Sequence, residues 1–192
     1  MTSSAEFDEI YDKYKSDIYR LCYHLSQDRG EAEDMFQEVW LRVVRHLPEK
    51  GNKENLKLWL LVVAMNLHRD LLRKKRVRRM FLLSKIKHER AEASSAEEPA
   101  VSLSDPVEST ERAVMRRNID QALARLPAKQ RRIFVLKEIE GLRQAEIAGV
   151  LGIPVGTVKS LMHRAVKRLQ RELAAYNPKG EKIKCDARIL RV

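Results

Sequence analysis

Basic and hydroxyl side chains are concentrated in residues 153–169, which read IPVGTVKSLMHRAVKRL. Such side chains donate hydrogen bonds to phosphates and to the edges of bases. If the segment is helical, residues three or four apart share a face. The outer face then consists of Thr157, Lys159, Ser160, His163, Arg164 and Lys167. This face could enter a DNA groove, or it could be the solvated basic face of a packed helix.

The residues before this segment favour DNA binding. A short helix fits residues 143–151, and Gly152 can make a turn at positive φ without a Cβ clash. Pro154 and Val155 lead into the second helix through Thr157 or Lys159. Its inner face carries Val158, Ala165, Leu169 and either Met162 or Leu161. This pattern predicts a helix-turn-helix, whose second helix lies in the major groove.

A second candidate nucleic-acid surface lies on a predicted helix at about 56–79, apolar in its first half and basic in its second. Asn66, Arg69, Asp70 and Arg73 share one surface of that helix. Asn66 is polar among apolar residues, so it either bonds locally or faces a base edge. Trp59 is the large aromatic residue near this surface, and it could stack on a base or belong to the core.

The net charge of +11 is unevenly distributed. Lys and Arg minus Asp and Glu gives −3 for residues 1–68, +8 for 69–88, −6 for 89–111 and +12 for 112–192. Two basic blocks therefore flank an acidic stretch. The pattern predicts two contacts with a polyanion, joined by a segment that a polyanion repels.

The elements that must position these residues are helices, and we expect an all-α fold. The first helix has one apolar face, and a second begins near Glu31, before Pro48 and Gly51 break the chain. The second helix is predicted to direct six residues inward, namely Met35, Phe36, Val39, Trp40, Val43 and Leu47. Residues 89–111 are rich in Ser, Ala, Glu and Pro, which predicts a flexible acidic linker. Helices resume after it, Pro127 opens one of them, and Gly141 ends it.

The composition argues against several other protein classes. No apolar run is long enough to cross a membrane, and the N-terminus lacks the features of a secretory signal. Cys22 fits a core position, and Cys185 lies in the basic tail, far from it, which suits a reducing cytoplasm. The five His are scattered, and neither a glycine-rich phosphate loop nor a metal motif is present. We expect no metal, no cofactor and no enzymatic activity.

The segment EIAGVLGIPVGTVKSLMHRAVKRL closely resembles the C-terminal helix-turn-helix of bacterial sigma factors of the extracytoplasmic-function (ECF) group. The resemblance implies that the outer face recognises the −35 promoter element. Leu161 and Val166 stand where Arg is common in the family, and both changes remove possible contacts with DNA.

Two segments of the N-terminal half resemble the same family. EDMFQEVW at 33–40 is similar to the segment that docks on the coiled coil of the polymerase β′ subunit. WLLVVAMNLHRDLLRK at 59–74 is similar to the segment that reads and opens the −10 element, and residues 49–57 match a loop that holds an unstacked base. The resemblance implies polymerase contacts by Asp34, Gln37, Glu38 and Leu41, and −10 contacts by Asn55, Lys57, Trp59, Asn66, Arg69, Asp70, Arg73, Lys74 and Arg76.

The expected organisation is a region 2 domain at 1–88, the acidic linker at 89–111, a region 4 domain at 112–175 and a tail of unknown role at 176–192. The implied function is promoter-specific initiation in the cytoplasm, with core RNA polymerase (β′ coiled coil and β subunit), promoter DNA and an anti-sigma protein as partners and no membrane insertion. The linker could thread a polymerase channel or be a simple tether. A free-standing helix-turn-helix regulator would explain only the C-terminal half.

Overall fold

The computed structural model describes residues 4–26, 28–47, 55–89 and 111–174. Within these ranges every regular element is a helix, as predicted. The N-terminal half contains α1 (Ser4–Ser26), α2 (Arg29–His46) and α3 (Leu56–Glu89). The C-terminal half contains α4 (Glu111–Ala124), α5 (Ala128–Phe134) with a π-helical continuation (Val135–Ile139), α6 (Gln144–Leu151) and α7 (Val155–Glu172).

The N-terminal half is a three-helix unit in which α1 packs on both α2 and α3. The predicted inner face of α2 is confirmed, since Met35, Val39, Trp40 and Val43 are buried. The ring of Trp40 lies 4.8 Å from that of Tyr11 and meets it edge on, a favoured arrangement for aromatic pairs. These contacts fix the angle at which α2 presents its opposite face.

Two helix boundaries differ from the sequence-based prediction. Helix α2 begins at Arg29 because the Asp28 carboxylate caps it, accepting a 2.8 Å hydrogen bond from the backbone N–H of Glu31. Helix α3 continues to Glu89, ten residues beyond the predicted end at Arg79. The added residues include no Gly or Pro, and Leu and Lys among them favour the helical state.

The C-terminal half is built around Ile133, Phe134, Val135 and Leu136, which are all buried. Pro127 precedes α5, as predicted. The sequence did not predict that α5 widens into a π-helical turn, in which the N–H of Glu140 donates to the carbonyl of Val135 at 3.1 Å. π-Helical turns are rare and commonly occur at functional sites.

The two halves are in contact in this structure. Helix α6 packs against α3, and α1 packs against α5 and its π-helical continuation. Cys22 is fully buried, and burial raises the pKa of its thiol to about 12, which matches the predicted core role. The predicted linker at 89–111 lies outside the described residues except for Glu89, which ends α3, and Glu111, which begins α4. The predicted tail at 176–192, with Cys185, also lies outside them.

No single helix in the described ranges is long and apolar enough to cross a membrane, although α6 and α7 together, bent by 105°, pass the length and composition test.

Candidate nucleic-acid interface

The outer face of α7 is exposed over its whole predicted length. Val158, Ala165 and Leu169 are buried on the inner face, which confirms the division of the helix into two faces. The Ser160 hydroxyl donates to the carbonyl of Thr157 at 3.0 Å, within the helix. All the residues predicted to meet DNA on this helix are exposed, namely Thr157, Lys159, Ser160, His163, Arg164 and Lys167.

The turn before α7 has the geometry of a helix-turn-helix. Gly152 adopts φ 63° and ends α6 in the left-handed conformation, which a residue with a Cβ adopts only at a cost. The next residue, Ile153, donates its N–H to the carbonyl of Ala148 at 3.1 Å. Helices α6 and α7 meet at 105°, within the range of the motif. The angle leaves α7 projecting with its basic face free.

Four of the residues predicted to read the −10 element share one face of α3. Asn66, Asp70 and Arg73 lie on neighbouring turns, and Trp59 lies two turns before Asn66 on the same face. Asn66, Asp70 and Trp59 are half-buried, and Arg73 is exposed. Trp59 also packs against the hydrophobic core, so its ring has a structural role whatever else it contacts.

The Asp70 carboxylate is held by a residue of α2. Arg42 Nη1 lies 3.7 Å from Asp70 Oδ2, and Arg42 Nε donates to Glu38 Oε1 at 3.1 Å. Arg42 therefore connects a residue predicted to contact polymerase with one predicted to contact DNA. Arg42 was not among the residues predicted from the sequence, although its position four residues after Glu38 on one helix places the two side chains together.

The basic end of α3 is almost entirely exposed. Arg69, Arg73, Lys74 and Arg76 all face solvent. Lys75 differs from its neighbours, because its ammonium group forms an ion pair with Glu31 of α2. Consecutive helical residues point in different directions, so the run offers a cationic surface around this part of α3, and Lys75 ties it to α2.

Lys57 lies apart from the other residues predicted to contact the −10 element. It is nine residues before Asn66, which places it on the opposite side of α3. Lys57 Nζ lies 2.8 Å from Asp17 Oδ2 and 3.3 Å from Glu140 Oε2. Asn55 is exposed just before α3 at φ 61°, and the loop residues 48–54 lie outside the described residues.

An acidic and apolar face of α2 is also exposed. Asp34, Gln37 and Leu41 are exposed and Glu38 is half-buried, and their spacing places all four on one side of the helix. Leu41 is 52% exposed and Val44, one turn further along, is 51% exposed. Two adjacent exposed aliphatic residues beside carboxylates form a surface suited to a basic helix with apolar positions. The sequence analysis did not include Val44.

The contact between the halves centres on Glu140, which the sequence analysis also missed. Its side chain is fully buried, with Arg20 Nη2 3.8 Å from Oε1 and Lys57 Nζ 3.3 Å from Oε2. Burial raises the pKa of Glu140, and the charges of Lys57 and Arg20 offset only part of that effect. Burial alone would lower the pKa of Lys57, but the carboxylates of Asp17 and Glu140 raise it.

Arg131 joins the ends of two helices from different halves. Its guanidinium donates to the carbonyls of Leu123, Ala124 and Leu126 at 3.0, 2.6 and 3.2 Å, and to the carbonyl of Leu25 at 3.1 Å. Carbonyls at a helix C-terminus lack partners within the helix and attract cations. Burial lowers the pKa of Arg131 to about 10, so it remains charged at neutral pH.

Two buried histidines lie near the same boundary. Burial, together with the charges of Arg132, Arg131 and Lys75, lowers the pKa of His68 to about 4. His24 Nδ1 lies 3.8 Å from Asp120 Oδ1, across the two halves. Neither histidine belongs to a metal site, because no group of three His, Cys, Asp or Glu within the described ranges could hold a metal ion.

Comparison with known families matches both halves separately. Residues 10–78 match the family Sigma-70 region 2, and residues 116–169 match the family Sigma-70, region 4. The first match includes α2 and the face of α3 that carries Trp59, Asn66, Asp70 and Arg73, and the second includes the helix-turn-helix.

Individual proteins similar to this chain match across both halves. The ECF RNA polymerase sigma factor SigW of Bacillus subtilis is 34% identical over 87% of this chain and 88% of its own length. The ECF RNA polymerase sigma factor SigE of Mycolicibacterium smegmatis is 32% identical over 89% of this chain, which spans 63% of that relative. The sigma factor RpoE of Bartonella quintana, solved in complex with the anti-sigma factor NepR, is 25% identical with a TM-score of 0.64, covering 88% of this chain and 96% of RpoE.

Proposed function

The chain belongs to the ECF RNA polymerase sigma factors, and on that premise we propose how its surfaces divide the work of promoter recognition. As a member of this family it binds core RNA polymerase and directs promoter-specific transcription initiation. Sigma factors are regulatory proteins rather than catalysts. We propose that this chain has no chemistry of its own, leaving RNA synthesis to the polymerase, and that it acts in the cytoplasm, where bacterial DNA is transcribed.

The outer face of α7 is our proposed reader of the −35 element. Its exposed Lys159 and Arg164 can donate to guanine acceptors in the major groove, and Lys167 can neutralise phosphate further along. Leu161 and Val166 stand where Arg is common in the family, and both are half-buried in this chain. The absence of Arg at these two positions lowers the positive charge of α7 but leaves its exposed outer face unchanged.

The face of α3 that carries Trp59, Asn66, Asp70 and Arg73 is our proposed reader of the −10 element. It combines hydrogen-bonding groups, an aromatic ring and a flanking cationic surface, which are the components that single-stranded DNA binding requires. The basic residues beyond Arg73 would contact phosphates, so binding should weaken as salt rises.

The face of α2 with Asp34, Gln37, Glu38 and Leu41 is our proposed site for the polymerase β′ coiled coil. This face is the observation that best supports the proposed function as a whole. A free-standing DNA-binding regulator would not need an exposed acidic and apolar face next to a second DNA-binding helix. Arg42 between Glu38 and Asp70 places the docking and reading surfaces side by side.

We propose an anti-sigma protein as a further partner of this chain, because a sigma factor of similar fold was solved with one bound. The two exposed DNA-reading faces are the surfaces that such a protein would need to cover.

Run-off transcription with purified core polymerase tests the assignment as a whole. Transcripts that require this protein, from templates that share −35 and −10 sequences, are the expected result. Binding to duplex DNA without any protein-dependent transcript would instead favour the free-standing regulator.

A further inference from the structure

Four charged side chains meet in a cleft of about 390 Å³ between the two halves. Asp17, Arg20 and Lys57 come from the N-terminal half, and Glu140 comes from the C-terminal half. Asp17 bonds to both cations, at 2.7 Å to Arg20 and 2.8 Å to Lys57, which fixes the two cations in place. Glu140 is then held by two cations of the other half, while its own side chain is fully buried.

Other contacts act at the same boundary. Arg131 reaches the carbonyl of Leu25 across it, and His24 faces Asp120 across it. Beside them α6, the first helix of the helix-turn-helix, lies directly against α3, which carries the −10-like face. The contacts therefore define a closed arrangement, in which the two proposed DNA-reading helices are neighbours.

The closed arrangement cannot read both elements of one promoter. Elements centred near −35 and −10 are about 25 base pairs apart, or about 85 Å at roughly 3.4 Å per base pair. Helix α3 is about 51 Å long and α7 about 27 Å, at roughly 1.5 Å per residue. Since α6 touches α3 and joins directly to α7, the two reading faces lie well short of that separation.

We propose that the ion pairs of Glu140 with Arg20 and Lys57 form a latch that keeps the free protein closed, and that binding to core polymerase and promoter DNA separates the halves. The functional part of this proposal rests on the proposed function above. The latch consists of ion pairs, because the two buried carboxylate oxygens of Glu140 have no hydrogen-bond partner among the described residues. The attraction of the two cations therefore offsets only part of the free-energy cost of burying the carboxylate. Such a contact holds two bodies in register yet separates at modest cost.

The test measures the distance between the halves in the full chain. Spin labels are attached at Ser16→Cys on α1 and Gln170→Cys on α7, both exposed positions, with Cys185→Ser to remove a competing thiol. The buried Cys22 thiol is retained. Double electron–electron resonance on the isolated protein should give one short, narrow distance population. Glu140→Arg places a third cation beside Arg20 and Lys57, and the longer-distance population should rise by about tenfold.

Three further variants make the result specific. Arg20→Glu should open the protein while leaving the C-terminal half unchanged, which guards against misfolding of Glu140→Arg. The double variant Arg20→Glu with Glu140→Arg should restore the short distance, since the pair is re-formed with reversed signs. Asp12→Arg, the same charge change at an exposed position on α1, should leave the distances unaltered.

The latch proposal would be overturned by a broad distance distribution in the labelled protein that keeps Arg20 and Glu140, or by equal opening in Asp12→Arg. It would also be overturned if neither Glu140→Arg nor Arg20→Glu opened the protein. Run-off transcription by the unlabelled wild-type chain is measured in parallel, so failure of the latch is separable from failure of the proposed function.

Discussion

The guanidinium of Arg42 lies 3.7 Å from the carboxylate of Asp70, and so α2 and α3 are joined by an ion pair directly between two proposed functional faces. The same guanidinium bonds to Glu38. All three side chains are partly exposed, so the network adds little to stability, about 1 kcal/mol or less. Its effect is on the orientation of the two carboxylates.

Replacing Arg42 should therefore impair promoter opening more than folding. For Arg42→Ala we expect a fall in the rate of open-complex formation, measured with a fluorescent base analogue in the −10 element. The urea unfolding midpoint should hardly move. A loss of several kcal/mol in unfolding free energy would mean that Arg42 is a structural residue instead.

The exposed face of α2 is tested by Gln37→Ala and Leu41→Ala. Both should weaken binding to core polymerase, because they remove an amide and an apolar contact from the proposed docking surface, while the affinity for −35 duplex stays unchanged. Fluorescence anisotropy gives both affinities. Arg29→Ala, on the far side of the same helix, serves as the matched control. Equal weakening by the control would argue against a docking role for this face.

The outer face of α7 is tested by Arg164→Ala. A bidentate contact with a base is worth about 1–3 kcal/mol, so the preference for the −35 sequence over a scrambled duplex should fall by about that amount. Lys167→Ala should instead weaken binding to both duplexes and reduce the salt dependence by about one counterion. Gln121→Ala, at an exposed position on α4 outside the helix-turn-helix, should change neither. An unchanged sequence preference in Arg164→Ala would exclude the base contact.

Replacing Arg131 should lower the unfolding free energy more than replacing any other Arg or Lys described in the C-terminal half. Arg131→Ala removes the guanidinium donor from the carbonyls of Leu123, Ala124 and Leu126, although Leu123 still accepts from the N–H of Leu126. We expect the unfolding free energy to fall by about 2–4 kcal/mol. Arg132→Ala, which loses only a 3.4 Å bond within its own helix, should cost much less. Urea denaturation compares the two, and equal losses would contradict the capping role.

His68 should make the fold sensitive to acid. Its folded pKa of about 4 lies below the unfolded value near 6.5, so its contribution is complete above about pH 6.5 and is lost as the pH falls toward 4. Asp120 has the opposite effect, because burial raises its pKa to about 6. The comparison with His68→Gln isolates the histidine.

Between pH 7 and pH 4.5, the unfolding free energy of the wild type should fall by about 2–3 kcal/mol more than that of His68→Gln. Urea denaturation at several pH values measures the difference. Parallel curves for the two proteins would show that folding leaves the pKa of His68 unchanged.

The helix-turn-helix was predictable because its determinants are local. Gly152 and Pro154 fix the turn, and the positions of Val158, Ala165 and Leu169 fix the face that α7 buries. The inner face of α2 was predictable for the same reason. Helical periodicity is a property of neighbouring residues, and the structure confirms it in both places.

The ion cluster around Glu140 could not be predicted in the same way. Lys57 and Glu140 are far apart in the chain, and neither has an unusual neighbour that indicates pairing. The end of α3 was misplaced because a basic run gives no stop signal. From the sequence, Lys57 was assigned to the loop before α3 and grouped with the residues predicted to contact the −10 element. In the structure it belongs to α3 and lies on the side opposite Asn66, where it pairs with Asp17.

The π-helical turn after α5 has a consequence for how this sequence tolerates insertions and deletions. A turn closed by a bond from Glu140 to Val135 contains one residue more than an α-helical turn would. Deleting one of the four residues between them would turn this bond into an ordinary α-helical one, so the shortened segment could wind regularly. Glu140 would keep its bond to Val135 and its place beside Arg20 and Lys57. The extra residue is therefore an insertion that a single turn absorbs, without a change in the direction of the side chains that follow.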